Sequence, residues 1–147
     1  MTGFNNFEHS QVGIDSSDLD KLETMLTHKL PADFRAQYLL FNGGEPEKCL
    51  YLFNGDPLVV QEFFSIARGS GERTIEGNYK ELVEIEKIIP NNFLPFGRDP
   101  GGDFYCLDML DGSVSIFRAE YLPNISDCIT VISGSMGEFL DGLTEDV

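Results

Sequence analysis

Between residues 94 and 117 the chain reads LPFGRDPGGDFYCLDMLDGSVSIF, three apolar runs divided by two reversal signals. That arrangement dictates neighbouring antiparallel strands. LPFG reads as a short strand, DFYCLDML as a longer one, and SVSIFRAEY as a third. Gly101 and Gly102 let the chain turn back after Pro100, and Asp103 is expected to accept backbone N–H bonds in that turn. Asp111-Gly112 marks the second reversal. With a side-chain period of two, Phe104 and Cys106 share one face and Tyr105 and Leu107 the other, while Val114 and Ile116 face together. CITVI at 128–132 supplies a further strand.

Upstream of this stretch the period changes to that of helices. Ser17 with Asp20 resembles a capping box before Leu19, Leu22 and Leu26, and the helix ends near His28. Leu30-Pro31 then joins it to a second helix, with Pro31 in the first turn and Phe34, Tyr38 and Phe41 on one face. Asn42-Gly43-Gly44 is expected to stop that helix by adopting positive φ. CLYLF and PLVVQEFFSIA flank Asn54-Gly55-Asp56, a hairpin signal. Asn78 with Glu81 suggests a third helix over Tyr79, Leu82, Ile85 and Ile89, ending before Pro90, and Ser135 with Glu138 a closing one bearing Met136, Phe139, Leu140 and Leu143. Residues 1–13 are polar with scattered apolar positions and read as a loosely packed arm, leaving 14–147 as one domain. The order of elements argues for an α+β fold: a mostly antiparallel, twisted sheet with about four helices.

Charge narrows the function. Ten Lys and Arg against 25 Asp and Glu give a net −15, and residues 99–147 hold ten acids against a single base, Arg118. Such a field repels phosphate backbones and anionic lipid and speeds encounter with basic partners, so neither direct nucleic-acid binding nor membrane binding is expected. Cys49, Cys106 and Cys128 form no CxxC pair and suit a reducing compartment. MTGFNNFEHSQ lacks a basic segment leading into an apolar run, and no apolar stretch is of spanning length, so a cytoplasmic location is expected.

Catalytic and metal chemistry find little support. Two histidines, His9 and His28, are few for an acid–base enzyme, and no zinc-ligand spacing occurs. ARGSGERT and GRDPGGD lack the features of a phosphate cradle. A calcium loop begun at Asp99 would place Gly101 at its third position and Leu110 where a Glu is required. No catalytic residue, cofactor or metal site is therefore assigned. A small hydrolase or metal-binding module stays as the lesser alternative.

Three segments carry a family resemblance: LPADFRAQYLLFNGG at 30–44, LPFGRDPGGDFYCLD at 94–108 and ISGSMGEFLDGL at 132–143. In that order and spacing the chain resembles the SUKH superfamily, whose founding member is a fungal regulator of cell-wall synthesis. The positions carrying the likeness are Leu30, Pro31, Asn42, Gly43, Gly44, Gly101, Gly102, Asp103, Phe104, Cys106 and Phe139, with Phe104 and Cys106 expected to bury against the closing helix through Phe139. The resemblance implies a non-catalytic protein-binding domain. An immunity protein that neutralises a bacterial toxin domain, such as a basic nuclease, is the leading expectation; an intracellular scaffold or regulator of cell-wall assembly is the alternative. Asp108, Asp111 and Glu120, flanking a hairpin in the acid-rich segment, and the aromatic Tyr121 are the candidate partner-binding residues. The oligomeric state is left open.

Overall fold

A computed structural model describes residues 4–145; residues 1–3 of the expected arm and 146–147 at the end of the expected domain lie outside the described residues. The first helix, α1 (Ser16–Leu26), is capped by Asp15, whose carboxylate accepts from the Asp18 N–H while Asp18 accepts from the Asp15 N–H. The box thus lies two residues before the expected Ser17 and Asp20 pair, and the Ser-Ser dipeptide falls inside the first turn. Leu19, Leu22 and Leu26 are buried, as their spacing requires, and Thr27 ends the helix in the left-handed region at φ 58°. Glu23 is buried with them and turns the corner: its carboxylate accepts from the Leu30 N–H at 2.8 Å and pairs with Arg35 at 3.2 Å.

Pro31 occupies the N-cap of α2 (Ala32–Leu40), one position ahead of the expected first turn. Phe34 and Tyr38 of α2 are buried. The helix does not end on a left-handed glycine. Phe41 caps it in an extended conformation at φ −137°, so Asn42-Gly43-Gly44 are not its stop signal. Their positive φ of 73° at Gly43 and 111° at Gly44 serves a close backbone passage instead. A Cβ on Gly43 would lie 2.8 Å from the Phe63 carbonyl oxygen, and one on Gly44 would lie 2.6 Å from Ser10 Oγ. Asn42 is buried and pins three chain segments through its amide, donating to the Val12 and Ile66 carbonyls and accepting from the Ile66 N–H.

The expected loose arm is stitched down along residues 5–11. β1 (Phe7–Glu8) pairs with β2 (Glu45–Pro46), and Gln11 bridges to Asn42. Asn5 exchanges two hydrogen bonds with the Lys48 backbone, and buried Phe7 stacks on Phe41 at 5.2 Å. Polar side chains here satisfy backbone groups across the gap, which composition alone misreads as solvation.

β3 (Leu50–Phe53) and β4 (Asp56–Val59) form the expected hairpin, with Asn54 and Gly55 both at positive φ. The apolar run beyond it does not continue as one strand: it breaks before β5 (Glu62–Phe63), which enters a different sheet. A 3-10 turn at Gly71–Arg73 leads into α3 (Ile75–Tyr79), which widens into a π-helical segment, Lys80–Ile85. Thr74, not Asn78, caps this helix, and Asn78 sits buried within it, donating to the Glu72 and Thr74 carbonyls.

The main sheet has the order β5–β6–β7–β8–β9, with β6 at Phe93–Arg98, β7 at Phe104–Asp108, β8 at Val114–Phe117 and β9 at Ile129–Ser133. All its ladders are antiparallel, so the fold is α+β with helices packed on an antiparallel sheet. α4 (Ile125–Cys128) precedes β9, and Ser135 caps α5 (Met136–Asp141) by accepting from the Glu138 N–H. β10 (Leu143–Thr144) then joins the β3 edge.

Phe139 of α5 anchors the core, but against different partners from those expected. Tyr105 lies 5.7 Å from it and Phe96 6.0 Å, on the face shared with Leu94, Leu107 and Ile116. Phe104 and Cys106 point to the opposite face, where Phe104 is half-buried 6.3 Å from Phe64 and Cys106 is buried. The central strand β7 is covered on both sides, so both of its alternating sets are apolar and the pattern carries no sign for the Phe139 side.

Candidate partner-binding surface

The four residues expected to meet a partner fall at opposite ends of β8. Asp108 ends β7 and Asp111 lies in the β7–β8 loop, and each carboxylate is engaged by that loop. Asp108 Oδ1 accepts from the Leu110 N–H at 2.9 Å and from Asn92 Nδ2 at 3.1 Å. Asp111 Oδ1 accepts from the Ser113 N–H at 2.8 Å and the Ser113 hydroxyl at 2.7 Å, and these bonds hold its carboxyl below the usual range. Between them Leu110 stands 73% exposed. Glu120 and Tyr121 lie in the 3-10 turn Ala119–Tyr121, beyond the far end of β8. A strand of that length separates the two pairs by about 13 Å at roughly 3.3 Å per residue, so they do not form a single patch.

Glu120 instead joins the reversal between β6 and β7. There Asp99, rather than Asp103, holds the turn: its Oδ1 accepts from the Gly101 N–H at 2.9 Å and the Asp103 N–H at 2.8 Å. Gly102 at φ 94° supplies the left-handed position, whereas Gly101 is not in that region. Asp103 has its carboxyl raised above the usual range by partial burial and by the charges of Asp99 and Glu120, with Arg118 opposing. Three acids thus surround one base beside Tyr121, which is about half-exposed.

A second constellation was not anticipated. Glu62, buried at the start of β5, accepts from two arginines at once: Arg73 Nη2 at 2.7 Å and Nε at 3.1 Å on one oxygen, Arg98 Nε at 2.7 Å on the other. The carboxylate raises the pKa of the Arg73 guanidinium, and both arginines remain substantially exposed, 60% and 46% by side chain. The sequence did hold a clue. A lone Glu inside PLVVQEFFSIA cannot be buried without cationic partners, but nothing local says which of ten bases reach it.

Two clefts open beside this triad. The larger, about 420 Å³, runs between the arm and the Gly69–Arg73 loop, with His9, Gln11, Glu45, Ser65, Ser70 and Arg73 on its walls. His9 Nδ1 lies 3.4 Å from Glu45 on its rim. The smaller, about 250 Å³, is lined by Phe64, Glu72, Arg73, Asn78, Arg98 and Phe104 together with Gly102 of the β6–β7 turn. In the larger cleft the Ser65 hydroxyl donates to the Arg68 carbonyl at 2.6 Å. Burial pushes the Cys106 and Cys128 thiols up, away from reactivity. Among the described residues no group of three or more His, Cys, Asp or Glu could hold a metal ion, and no helix is long and apolar enough to cross a membrane.

The model of the SMI1 / KNR4 family (SUKH-1) matches residues 13–142, and the chain belongs to that family. The match takes in the first two segments that carry the sequence resemblance, all but the last residue of the third, and both clefts' walls except the arm. No curated protein matches the chain. The family comprises non-catalytic immunity and regulatory domains that act through protein–protein interaction.

Proposed function

We propose that this SUKH-1 chain is an immunity protein that binds and neutralises a basic bacterial toxin domain, a nuclease being the kind of target its charge fits best. The observation that carries the reading is the net charge of −15 on a framework with a well-packed core. A rigid acidic surface accelerates encounter with a cationic active site without paying an ordering cost on contact. The acids around Arg118, with half-exposed Tyr121 beside them, supply charge and an aromatic anchor on neighbouring elements. The same field disfavours direct contact with nucleic acid or anionic membrane. Such a protein would act in the cytoplasm, where its free Cys49, Cys106 and Cys128 would stay reduced.

The test is association with a basic nuclease toxin domain, sought first in the genes beside this chain's own, followed by stopped-flow mixing over a range of ionic strength. A saturable complex that abolishes toxin activity, with an association rate falling steeply as salt rises, is the expected result. A toxin that keeps full activity in the presence of excess protein at low salt would refute the reading.

A further inference from the structure

We propose that the Arg73–Glu62–Arg98 triad is a receptor for one acidic side chain of the protein partner, a contact that fixes how the partner sits once the acidic surface has attracted it. The proposal rests on the reading of this chain as a protein binder and adds the chemistry of one contact.

The argument begins with donor accounting. A guanidinium carries five N–H bonds in a fixed planar fork. Arg98 uses Nε on Glu62, and both of its Nη atoms are without a partner among the described residues. Arg73 uses Nε and Nη2 on the same carboxylate and leaves Nη1 without a partner among the described residues. Because Glu62 is buried and its two oxygens are divided between the arginines, it fixes both forks in place without consuming them. Two positive charges against one negative leave the triad one carboxylate short of balance. Both arginines also line the smaller cleft, together with Phe64 and Phe104, whose rings exclude water from one wall. A partly desolvated arginine pair is the environment in which a carboxylate makes its strongest, bidentate bonds.

Neighbouring charges select among anions. Glu45 and Glu72 both act on Arg73, and Glu72 stands in the cleft wall. Their field opposes a phosphate dianion more than a single carboxylate. A cationic side chain would meet the outward N–H groups of two arginines and find both Glu62 oxygens taken. A partner with an overall basic surface therefore keys its register with one exposed Asp or Glu, and a basic protein lacking that acid is attracted but not held.

The experiment uses the intact protein and no toxin, so its outcome is independent of whether toxin neutralisation is observed. The arginine Nε–H signals of the nitrogen-15-labelled chain are followed while acetyl-Gly-Asp-Gly-amide is added, with the Asn tripeptide, the Arg tripeptide and inorganic phosphate as separate titrations. The Arg73 and Arg98 signals are expected to move saturably with the Asp peptide, with affinity at least about tenfold above that for the Asn peptide. Arg98→Lys, which keeps the charge and loses the fork, is expected to erase that preference while the signals of Arg35, Arg68 and Arg118, which do not touch Glu62, hold their positions. Equal response to Asp and Asn, tighter binding of phosphate, a response to the Arg peptide alone, or no response at all would each overturn the proposal.

Discussion

Single side chains in this protein do work that their residue type only partly announces. Asp103 resembles a turn acceptor in sequence, yet Asp99 takes the turn's N–H bonds and Asp103 is left half-buried near like charges with its carboxyl raised. Raising the folded pKa of an acid above its unfolded value means the ionised form is disfavoured by folding. The penalty is fully present above the folded pKa and disappears as pH falls to the unfolded value, near 3.9. Asp103→Asn is therefore expected to raise Tm at pH 7, and the advantage should vanish in thermal melts near pH 3. Gly44 is a second case. Alanine there would place a Cβ 2.6 Å from Ser10 Oγ and 2.7 Å from the Glu8 carbonyl oxygen, in a backbone region unfavourable to L-residues. Gly44→Ala should free the arm, seen as faster hydrogen exchange at Phe7 and Glu8, before it alters the main sheet.

At the level of elements, periodicity identified what the chain forms better than which side it presents. The β3–β4 hairpin follows from Asn54-Gly55, since its two positive-φ positions suit few residue pairs. The closing helix follows equally well from Ser135 and Glu138. The facing of β7 did not follow, because Tyr105, Cys106 and Leu107 are all buried and the alternation has no polar side to mark solvent. α5 lies across that strand and holds the aromatic cluster of Phe63, Phe96, Tyr105 and Phe139 together. Phe139→Ala is expected to cost about 3–5 kcal/mol in urea unfolding, because the rings around it are tied to separate strands and cannot collapse into the space. Cys106→Ala, on the other face, removes far fewer atoms and should cost markedly less in the same measurement. Equal losses would place Phe139 outside the central cluster.

For the molecule as a whole, the geometry divides the acidic surface into regions that can be tested apart. Asp108 and Asp111 bond their own loop, so lysine there would damage the turn as well as the field. Asparagine keeps an acceptor oxygen and removes only the charge. Asp108→Asn with Asp111→Asn is expected to slow association with a basic partner modestly and leave its salt dependence largely in place. Asp99 must likewise keep its turn bonds, so Asp99→Asn combined with Glu120→Gln, which also removes two negative charges, is the matching change at the other end. That pair is expected to lower the association rate by about tenfold at low salt and by much less at high salt, because the affected charges act through a screened field. Equal effects of the two double variants would mean that net charge, and not its placement, governs encounter.

The sequence by itself determined the class of fold, the strand order through the two reversals at 99–103 and 108–113, and the overall charge. These depend on local turn chemistry, short-range periodicity and a sum over residues, all of which are contained in neighbouring positions. Tertiary structure alone decided that the arm is sewn to the Asn42–Lys48 segment and that Asp108 and Asp111 lie apart from Glu120 and Tyr121. It also decided that Glu62 gathers Arg73 and Arg98 from 11 and 36 residues away. Long-range pairing of polar groups satisfies a buried charge wherever the folded chain happens to bring a partner, and no pattern along the sequence encodes that meeting.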